Sequence, residues 1–528
     1  MIEIIYNHPE FEYDVYGLVQ ALFPHEELET VYDVPPEERD RLPYQSRHRL
    51  VGETTEKDEK QPDGRSDSCE ASLRVNYLPG QIQLIYQEKG KPSQEISAKL
   101  PEEWPENPAR DKVTRPEMKN ILKRLVYKLL SQVTGKTLPW GTLTGIRPTK
   151  VPLRMLEEGA SDDEIRQYMK DAYETSDEKI ATATEIAHTE HHILHSMDLE
   201  KGYSIYIGIP FCPTTCLYCS FPSYARASFE GQVDRYLDAL EREIRAVGAR
   251  MAELDRTLDT VYIGGGTPTA LTHLELERLF KVLEDALPMD GIREFTVEAG
   301  RPDSITREKL EVMKAHAVSR ISINPQTMQD KTLKLIGRHH TSEQLRDAFR
   351  MAREEGFHDI NMDLILGLPG ETTSDVQETL DQVVLMGPDN LTIHSLAIKA
   401  KSRLNHEWEA YQDYAMENSD ALMQMAHKAA ADLGLHPYYL YRQKNMIGNL
   451  ENVGFSRPGL EGLYNILIME EKETILALGA GTSSKYVSAG GKKVDRTENV
   501  KDVPTYIERI EEMIDRKMQK LQLQLQQM

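Results

Sequence analysis

The chain has 528 residues, 28% of them Asp, Glu, Lys or Arg, and a formal net charge of −23, so its surface as a whole repels nucleic acid, whose recognition needs a basic face. No apolar run approaches the ~20 residues of a membrane helix, and the start Met1-Ile2-Glu3-Ile4-Ile5-Tyr6-Asn7 lacks the basic and apolar regions of a secretory signal. Four cysteines exclude a disulfide scaffold, and the expectation is a cytoplasmic protein of two or three domains in a reducing compartment.

Residues 1–110 alternate short apolar runs (1–6, 72–77, 81–86) with polar stretches, which predicts a small strand-containing domain. Residues 54–68 are nearly all charged, Pro, Gly or Ser and read as a loose loop, with Cys69 at its end an incidental thiol. From 116 to 134, Ile121, Leu122, Leu125, Val126, Leu129 and Leu130 recur at helical spacing, while Lys119, Lys123, Arg124 and Lys128 take the other faces. The basic, Gly- and Pro-punctuated stretch 139–150 reads as an interdomain loop, with an anion seat as the lesser alternative. His188, His191, His192 and His195 follow at spacings that share a helix face; a solvated face is the ordinary reading, metal or haem ligation the sharper one. The expected division is an N-terminal accessory α+β region at 1–200, a core at 201–400 and a C-terminal region at 401–528.

Residues 203–400 then repeat strand and helix. Strands are expected at 204–209, 259–263, 294–298, 319–323, 361–366 and 390–396, separated by amphipathic helices at 232–250, 273–286, 342–355 and 374–385. Alternation at this spacing argues for parallel strands with right-handed crossovers. Three of the four cysteines lie just beyond the first strand, in Cys212-Pro213-Thr214-Thr215-Cys216-Leu217-Tyr218-Cys219. A structural zinc site wants four ligands, usually in two pairs, and no second pair follows at finger-like spacing. An iron–sulfur cluster bound by three thiolates leaves one iron open, which suggests catalysis. Gly264-Gly265-Gly266 after the second strand allows close backbone approach; no Gly-Lys-Ser/Thr follows, so a phosphate loop is disfavoured.

The Cys-x3-Cys-x2-Cys spacing after a strand, with Tyr218 before the last Cys, resembles the radical S-adenosylmethionine (SAM) superfamily. Tyr206, the run Ile209-Pro210-Phe211-Cys212 and Gly264-Gly265-Gly266-Thr267-Pro268-Thr269 resemble the oxygen-independent coproporphyrinogen III oxidase family. Tyr441-Arg442-Gln443-Lys444-Asn445, the run from Gly459 to Asn465, and Leu478-Gly479-Ala480-Gly481 are most similar to its HemZ branch. The resemblance implies an α/β fold: a partial (β/α)6 TIM-like barrel with an N-terminal α+β domain and a mostly helical C-terminal domain. It implies a 4Fe–4S cluster on Cys212, Cys216 and Cys219, with SAM at the open iron. It assigns SAM contacts to Tyr206, Gly265, Gly266, Thr267, Glu298, Gln326, Arg338, Asp363 and Ala397, with Tyr218 beside the adenine or the cluster. Barrels of this type gather reactive groups at the C-terminal ends of their strands, where these positions fall.

The implied reaction is oxidative decarboxylation of coproporphyrinogen III to protoporphyrinogen IX in porphyrin and haem biosynthesis, with an electron donor of flavodoxin or ferredoxin type. So anionic a substrate needs local cations, and Arg301, Arg320 and Arg442 are the candidates, with Gln443, Lys444 and Asn445 adding polar contacts. The best-characterised members carry a fourth cysteine where Phe221 stands here. A haem-chaperone branch of the same fold is the alternative; its His-Asn-x-x-Tyr element is replaced by Leu463-Tyr464-Asn465-Ile466. In the C-terminal region, a helix is expected over 406–431, strands near 438–441 and 474–478, and a terminal helix over 504–527. Together they would close the open side of the barrel and exclude water and oxygen.

Overall fold

A computed structural model describes residues 1–24, 26–34, 49–50, 69–100, 114–145, 147–443, 446–488, 491 and 493–525. The chain divides into two compact units, Met1–Gly145 with Ala160–Thr182, and Ile146–Gly159 with Ala183–Met528.

In the first unit a six-stranded sheet runs in the order Arg49–Leu50, Leu28–Tyr32, Ile2–Tyr6, Ala71–Leu78, Gln81–Glu88, Gln94–Lys99. The first four strands are parallel and the last two continue as antiparallel hairpins. Helices Glu12–Leu22 and Thr114–Thr134 pack into one core with the sheet, where Val15, Leu18, Leu73, Leu84, Leu122 and Val126 are fully buried. The helix Glu12–Leu22 has no capping side chain and begins from Phe11 in the left-handed region, so it carries no start signal in the sequence. Lys123, expected on an outer face of Thr114–Thr134, is instead buried, its ammonium donating to the Thr144 hydroxyl at 2.9 Å. The expected loop at 54–68 lies outside the described residues; Cys69 beyond it donates its thiol to the Ala71 carbonyl.

The second unit is built on an eleven-stranded sheet. Six parallel strands, Gly202–Ile209, Thr257–Gly265, Glu294–Glu298, Arg320–Ser322, Ile360–Leu366 and Asn390–Ser395, neighbour one another in chain order. Each is followed by helix: Val233–Glu253, His273–Ala286, Ser342–Glu354 and Thr373–Met386 lie where the spacing predicts them, and Arg307–Ala315 fills the third crossover where it predicts none. This is the partial α/β barrel of the expectation. Ile205, Ile207, Val261, Val297 and Ile393 are fully buried on the helix-facing side, while Tyr206, Tyr262, Glu298, Asp363 and His394 are half-buried on the other face. The period of two along each strand thus separates a helix-covered core from a polar and aromatic lumen.

The segments after residue 400 join this sheet rather than standing apart from it. Thr474–Leu478 pairs in parallel with Gly202–Ile209, and Ser483–Ser488 and Lys493–Glu498 continue that edge antiparallel. On the other edge Asn452–Ser456 and His436–Tyr441 add an antiparallel pair. The helix expected over 406–431 is three: Arg403–His406, Trp408–Tyr411 and Asp420–Asp432. Ser419 restarts the chain, its hydroxyl accepting the Leu422 N–H, and only from there do apolar residues recur on one buried face. The terminal helix is also broken, at Arg509, into Val503–Glu508 and Ile510–Leu525.

Candidate radical SAM centre

The cysteine motif leaves the sheet at Pro210, which cannot donate to a ladder. Phe211–Cys212 pairs in parallel with Tyr224–Ala225, closing the neck of the loop that carries all three cysteines. Leu217, 1% exposed, packs among Ile336, Leu368, Leu396 and Leu404, and its backbone N–H donates to the Ile336 carbonyl at 2.9 Å while its carbonyl accepts from Leu404 N–H at 2.9 Å. Burying such a leucine stabilises the loop by about 2 kcal/mol. Apolar packing and paired backbone groups therefore anchor the loop at its centre, between Cys216 and Cys219.

The glycine run is fitted against this loop. Gly266 N–H donates to Ile209 O and Thr267 N–H to Phe211 O, both at 2.7 Å, and the Thr267 hydroxyl lies 3.4 Å from Cys212 Sγ. A Cβ on Gly266 would fall 2.7 Å from Phe211 O and 3.0 Å from Cys212 Sγ, and Gly265 adopts φ 109, a conformation that L side chains rarely reach. Gly265 and Gly266 are thus required by the approach of two backbones and a sulfur, while a Cβ on Gly264 would meet the Glu298 carboxyl and the Tyr262 ring at 3.0 Å.

Burial pushes the Cys212 and Cys219 thiols above their ordinary range; Thr267 opposes this at Cys212, and the Phe221 backbone at Cys219. A bound cation would reverse it, because metal ligation takes the thiolate. The three thiols lie near enough to act on one another's ionisation, Cys216 and Cys219 on Cys212 and Cys216 on Cys219. Three neighbouring thiols are the donor set that would hold an iron–sulfur cluster.

Around the same end of the sheet stand the polar positions singled out from the sequence. Glu298 accepts from the Tyr262 hydroxyl at 2.6 Å, and burial and the nearby Asp363 push its carboxyl up to about 7, against the opposing hydrogen bonds from Tyr262 and the Gly265 backbone. Asp363 is also disfavoured by burial, but His394, 3.7 Å away, and Asn361, which donates at 2.7 Å, hold it below its ordinary value. Asn324 donates to its other oxygen at 2.8 Å. Gln326, at φ 65, exchanges backbone hydrogen bonds with Asp363 and Ile365. Arg338 donates to the carbonyls of Asn324 at 2.6 Å and Gly300 at 3.2 Å and also meets Tyr218 and Cys216, yet its buried Nε finds no partner among the described residues. Ala397 lies on the rim in an isolated bridge with Met446. An orphaned guanidinium N–H, two carboxylates of contrasting acidity and a glycine cradle fit the carboxylate, amine and ribose hydroxyls of SAM.

Tyr206 stacks with Tyr262 and Tyr464, at 6.0 Å from each, and these two rings lie 4.4 Å apart. Tyr206 and Tyr464 line a pocket with Pro210, Phe221, Gly265 and Ala480. Tyr262, Asn324, Asn361 and His394 were not singled out from the sequence, and Tyr464 was named there only within a family-like run, not as a site residue. Strand periodicity could have found some: Tyr262 pairs in register with Tyr206, and Asn361 lies two residues before Asp363.

The candidate arginines separate. Arg301 sits beside the cysteine loop, and Arg442 is buried just past the end of His436–Tyr441, the strand that runs parallel to Asn390–Ser395. Arg320 instead begins its strand, at the opposite end of the sheet, where it donates to Asp359 and the Leu460 carbonyl, each at 3.0 Å. The structure does not bring it to the thiols. Gln443 is described; Lys444 and Asn445 lie outside the described residues. Phe221 is 64% exposed, with the Lys399 ammonium 5.4 Å from its ring centre. In the 139–150 stretch Arg147 pairs with Glu471 at 2.7 Å, so that cation is already matched by a carboxylate. The rings of His191 and His195 lie 3.9 Å apart, tilted by 33°, on the helix Asp177–His195, with His195 Nδ1 2.8 Å from the His191 carbonyl.

A cysteine loop of this form on such a sheet defines a class, and comparison with known proteins agrees. Residues 206–383 match the radical SAM superfamily model. The chain is 42% identical over 408 residues to the Oxygen-independent coproporphyrinogen-III oxidase-like protein HemZ of Bacillus subtilis, covering 77% of this chain and 81% of that one. It is 32% identical to the Heme chaperone HemW of the same organism, over 58% and 76% of the two chains. The solved coproporphyrinogen III oxidase HemN of Escherichia coli is 24% identical, with a TM-score of 0.47 over 60% of this chain and 70% of that one. The chain belongs to the radical SAM superfamily and, within it, to the HemZ-like members of the coproporphyrinogen III oxidase family. A 4Fe–4S cluster and SAM are the cofactors of that superfamily.

Proposed function

We propose that the protein is an oxygen-independent coproporphyrinogen III dehydrogenase that converts propionate side chains to vinyl groups by oxidative decarboxylation in porphyrin synthesis. The observation that carries the reading is the convergence of Cys212, Cys216 and Cys219 with Glu298, Gln326, Arg338 and Asp363 at one end of one sheet, beside a pocket walled by Tyr206 and Tyr464. When bound, the cluster and SAM supply a 5′-deoxyadenosyl radical that abstracts hydrogen from a substrate. Arg338 would orient the SAM carboxylate through its fork. Glu298 and Asp363 would accept from the amine and ribose hydroxyls, and Gly265, Gly266, Thr267 and Ala397 would admit the ligand backbone-close. Tyr206 and Tyr218 would flank it. Arg442, at the same end, is the arginine that would meet a substrate propionate. A one-electron donor of flavodoxin or ferredoxin type would start the reaction by reducing the cluster, and the electron released as the substrate radical loses carbon dioxide would pass to a one-electron acceptor; a cytoplasmic setting fits the thiol-dependent centre. The region 401–528 would serve the core at 201–400 by extending its sheet.

A haem chaperone is the second reading, supported by the similarity to HemW. Against it, the segment that replaces His-Asn-x-x-Tyr is turned inward: Tyr464 is buried on Tyr262, and Asn465 donates to the Tyr438 hydroxyl at 3.1 Å. An anaerobic assay of cluster-loaded protein with SAM, reductant and coproporphyrinogen III separates the two. Dehydrogenase turnover yields 5′-deoxyadenosine, carbon dioxide and protoporphyrinogen IX. Formation of 5′-deoxyadenosine without decarboxylation rejects this substrate, and stoichiometric haem binding without SAM cleavage supports the chaperone.

A further inference from the structure

A guanidinium carries five N–H donors in one plane, and in Arg301 all of them are engaged. Nε and Nη2 grip the two carboxylate oxygens of Asp303 at 2.9 and 2.7 Å, and Nη2 also donates to the Thr214 hydroxyl at 3.1 Å. Nη1 reaches the Thr214 carbonyl at 3.2 Å and Cys216 Sγ at 3.6 Å. The side chain is 3% exposed, so no donor remains for a substrate carboxylate. One of those five contacts is a sulfur that ligates the cluster.

We propose that Arg301 is a positioning residue that sets the reduction potential of the cluster through Cys216, with Asp303 holding the guanidinium in plane and offsetting part of its charge. The couple transfers one electron from an external one-electron donor to the cluster; no bond or proton moves at Arg301. The added electron increases the negative charge on the cluster sulfurs. An N–H donor and a buried cation at Cys216 Sγ therefore favour the reduced form and raise the midpoint. The acidic partner acts in the opposite sense. Arg338 also meets Cys216, but it keeps a donor for a ligand, whereas every donor of Arg301 is taken by the loop or by Asp303. The inference rests on the cluster alone and not on the porphyrinogen substrate.

Potentiometric titration of the reconstituted protein, followed by the paramagnetic resonance signal of the reduced cluster and run without porphyrinogen, tests it. At fixed ambient potential Arg301→Gln should lower the reduced-to-oxidised ratio about tenfold, which for one electron is about 59 mV. Asp303→Asn, which leaves the cation and removes its counter-charge, should raise that ratio. Iron and sulfide content per chain reports on loading separately. A residue that merely holds the loop would lower loading and leave the midpoint of the remaining clusters unmoved. An unchanged Arg301→Gln midpoint, or shifts of both variants in one direction, overturns the proposal. If Arg301→Gln takes up no iron, an Asp303→Asn midpoint that is unchanged or lowered overturns it, and so does loss of the cluster from both variants. None of these outcomes bears on the substrate, which is absent from the cell.

Discussion

Cys216 and Glu298 show how single residues divide the work of the centre. Cys216 is the middle thiol of the loop and is met by both Arg301 and Arg338. Cys216→Ala should abolish the visible absorbance of the reconstituted cluster, and full iron content in that variant would remove Cys216 from the ligand set. Glu298 is different: its carboxyl, pushed up to about 7 by burial and by Asp363, is disfavoured in its charged form. Its folded pKa lies above the unfolded value, so between pH 4.5 and 7 the folded state holds more protons than the unfolded one, and stability falls as pH rises through that window. Glu298→Gln keeps an acceptor for Tyr262 and the Gly265 N–H while removing the charge. It should match wild type near pH 4 and exceed its unfolding free energy at pH 8 by about 1–3 kcal/mol, in denaturant titrations at the two pH values. SAM affinity should fall in the same variant, the usual opposition between stability and a ligand site. Equal stability gains at both pH values would mean that the carboxyl is not perturbed.

The loops and strands extend that logic. The glycine run and the cysteine loop approach so closely that Gly266→Ala places a methyl 2.7 Å from a backbone oxygen, which cannot yield as a flexible side chain would. That substitution should cost about 1–3 kcal/mol and reduce cluster loading. Gly231→Ala, with nothing within 4 Å, should leave both thermal stability and iron content near wild type. Elements of this kind were legible in the sequence where the physics is local. The three cysteines are adjacent in the chain, and the strands and longer helices of the core carry unbroken apolar periods. Arg307–Ala315 escaped because it buries only Leu310 and Met313, too few to show a period. The break before Asp420 escaped because Ser419 caps a helix that composition alone joins to its predecessor. The partners of the centre were illegible for a different reason. Arg301 and Cys216 are 85 residues apart, and Arg147 and Glu471 are 324, so only the folded sheet brings each pair together.

Across the second unit, one buried polar cluster couples the terminal helix to the sheet edge beside the pocket. Glu243 on Val233–Glu253 accepts from Lys517 at 2.7 Å, Asn499 at 2.8 Å, the Tyr506 hydroxyl at 2.6 Å and the Gly479 N–H at 2.8 Å. Gly479 ends the parallel strand Thr474–Leu478 and precedes the pocket residue Ala480, whose N–H is held by the Tyr236 hydroxyl at 3.2 Å. Both charges are fully buried, at 0% and 1% exposure, so each is tolerable only while the other is present. Lys517→Met leaves Glu243 uncompensated and should destabilise this unit by about 3–5 kcal/mol, whereas pairing it with Glu243→Gln should recover much of that loss. Burial alone would raise the Glu243 carboxyl, but Lys517 first, then Tyr506 and Gly479, hold it below its ordinary value. A depressed folded pKa gives stability that is present above the unfolded value and lost as pH falls through the folded one. Wild type should therefore weaken below pH ~4.5, with the terminal helix released early, while the paired variant Lys517→Met with Glu243→Gln, which leaves neither charge behind, should lose that acid dependence. Amide exchange over Ile510–Leu525 at pH 3.5 and 6, compared between the two proteins, reads the effect directly. Equal protection of that helix at both pH values in wild type would show that the charge pair does not hold it.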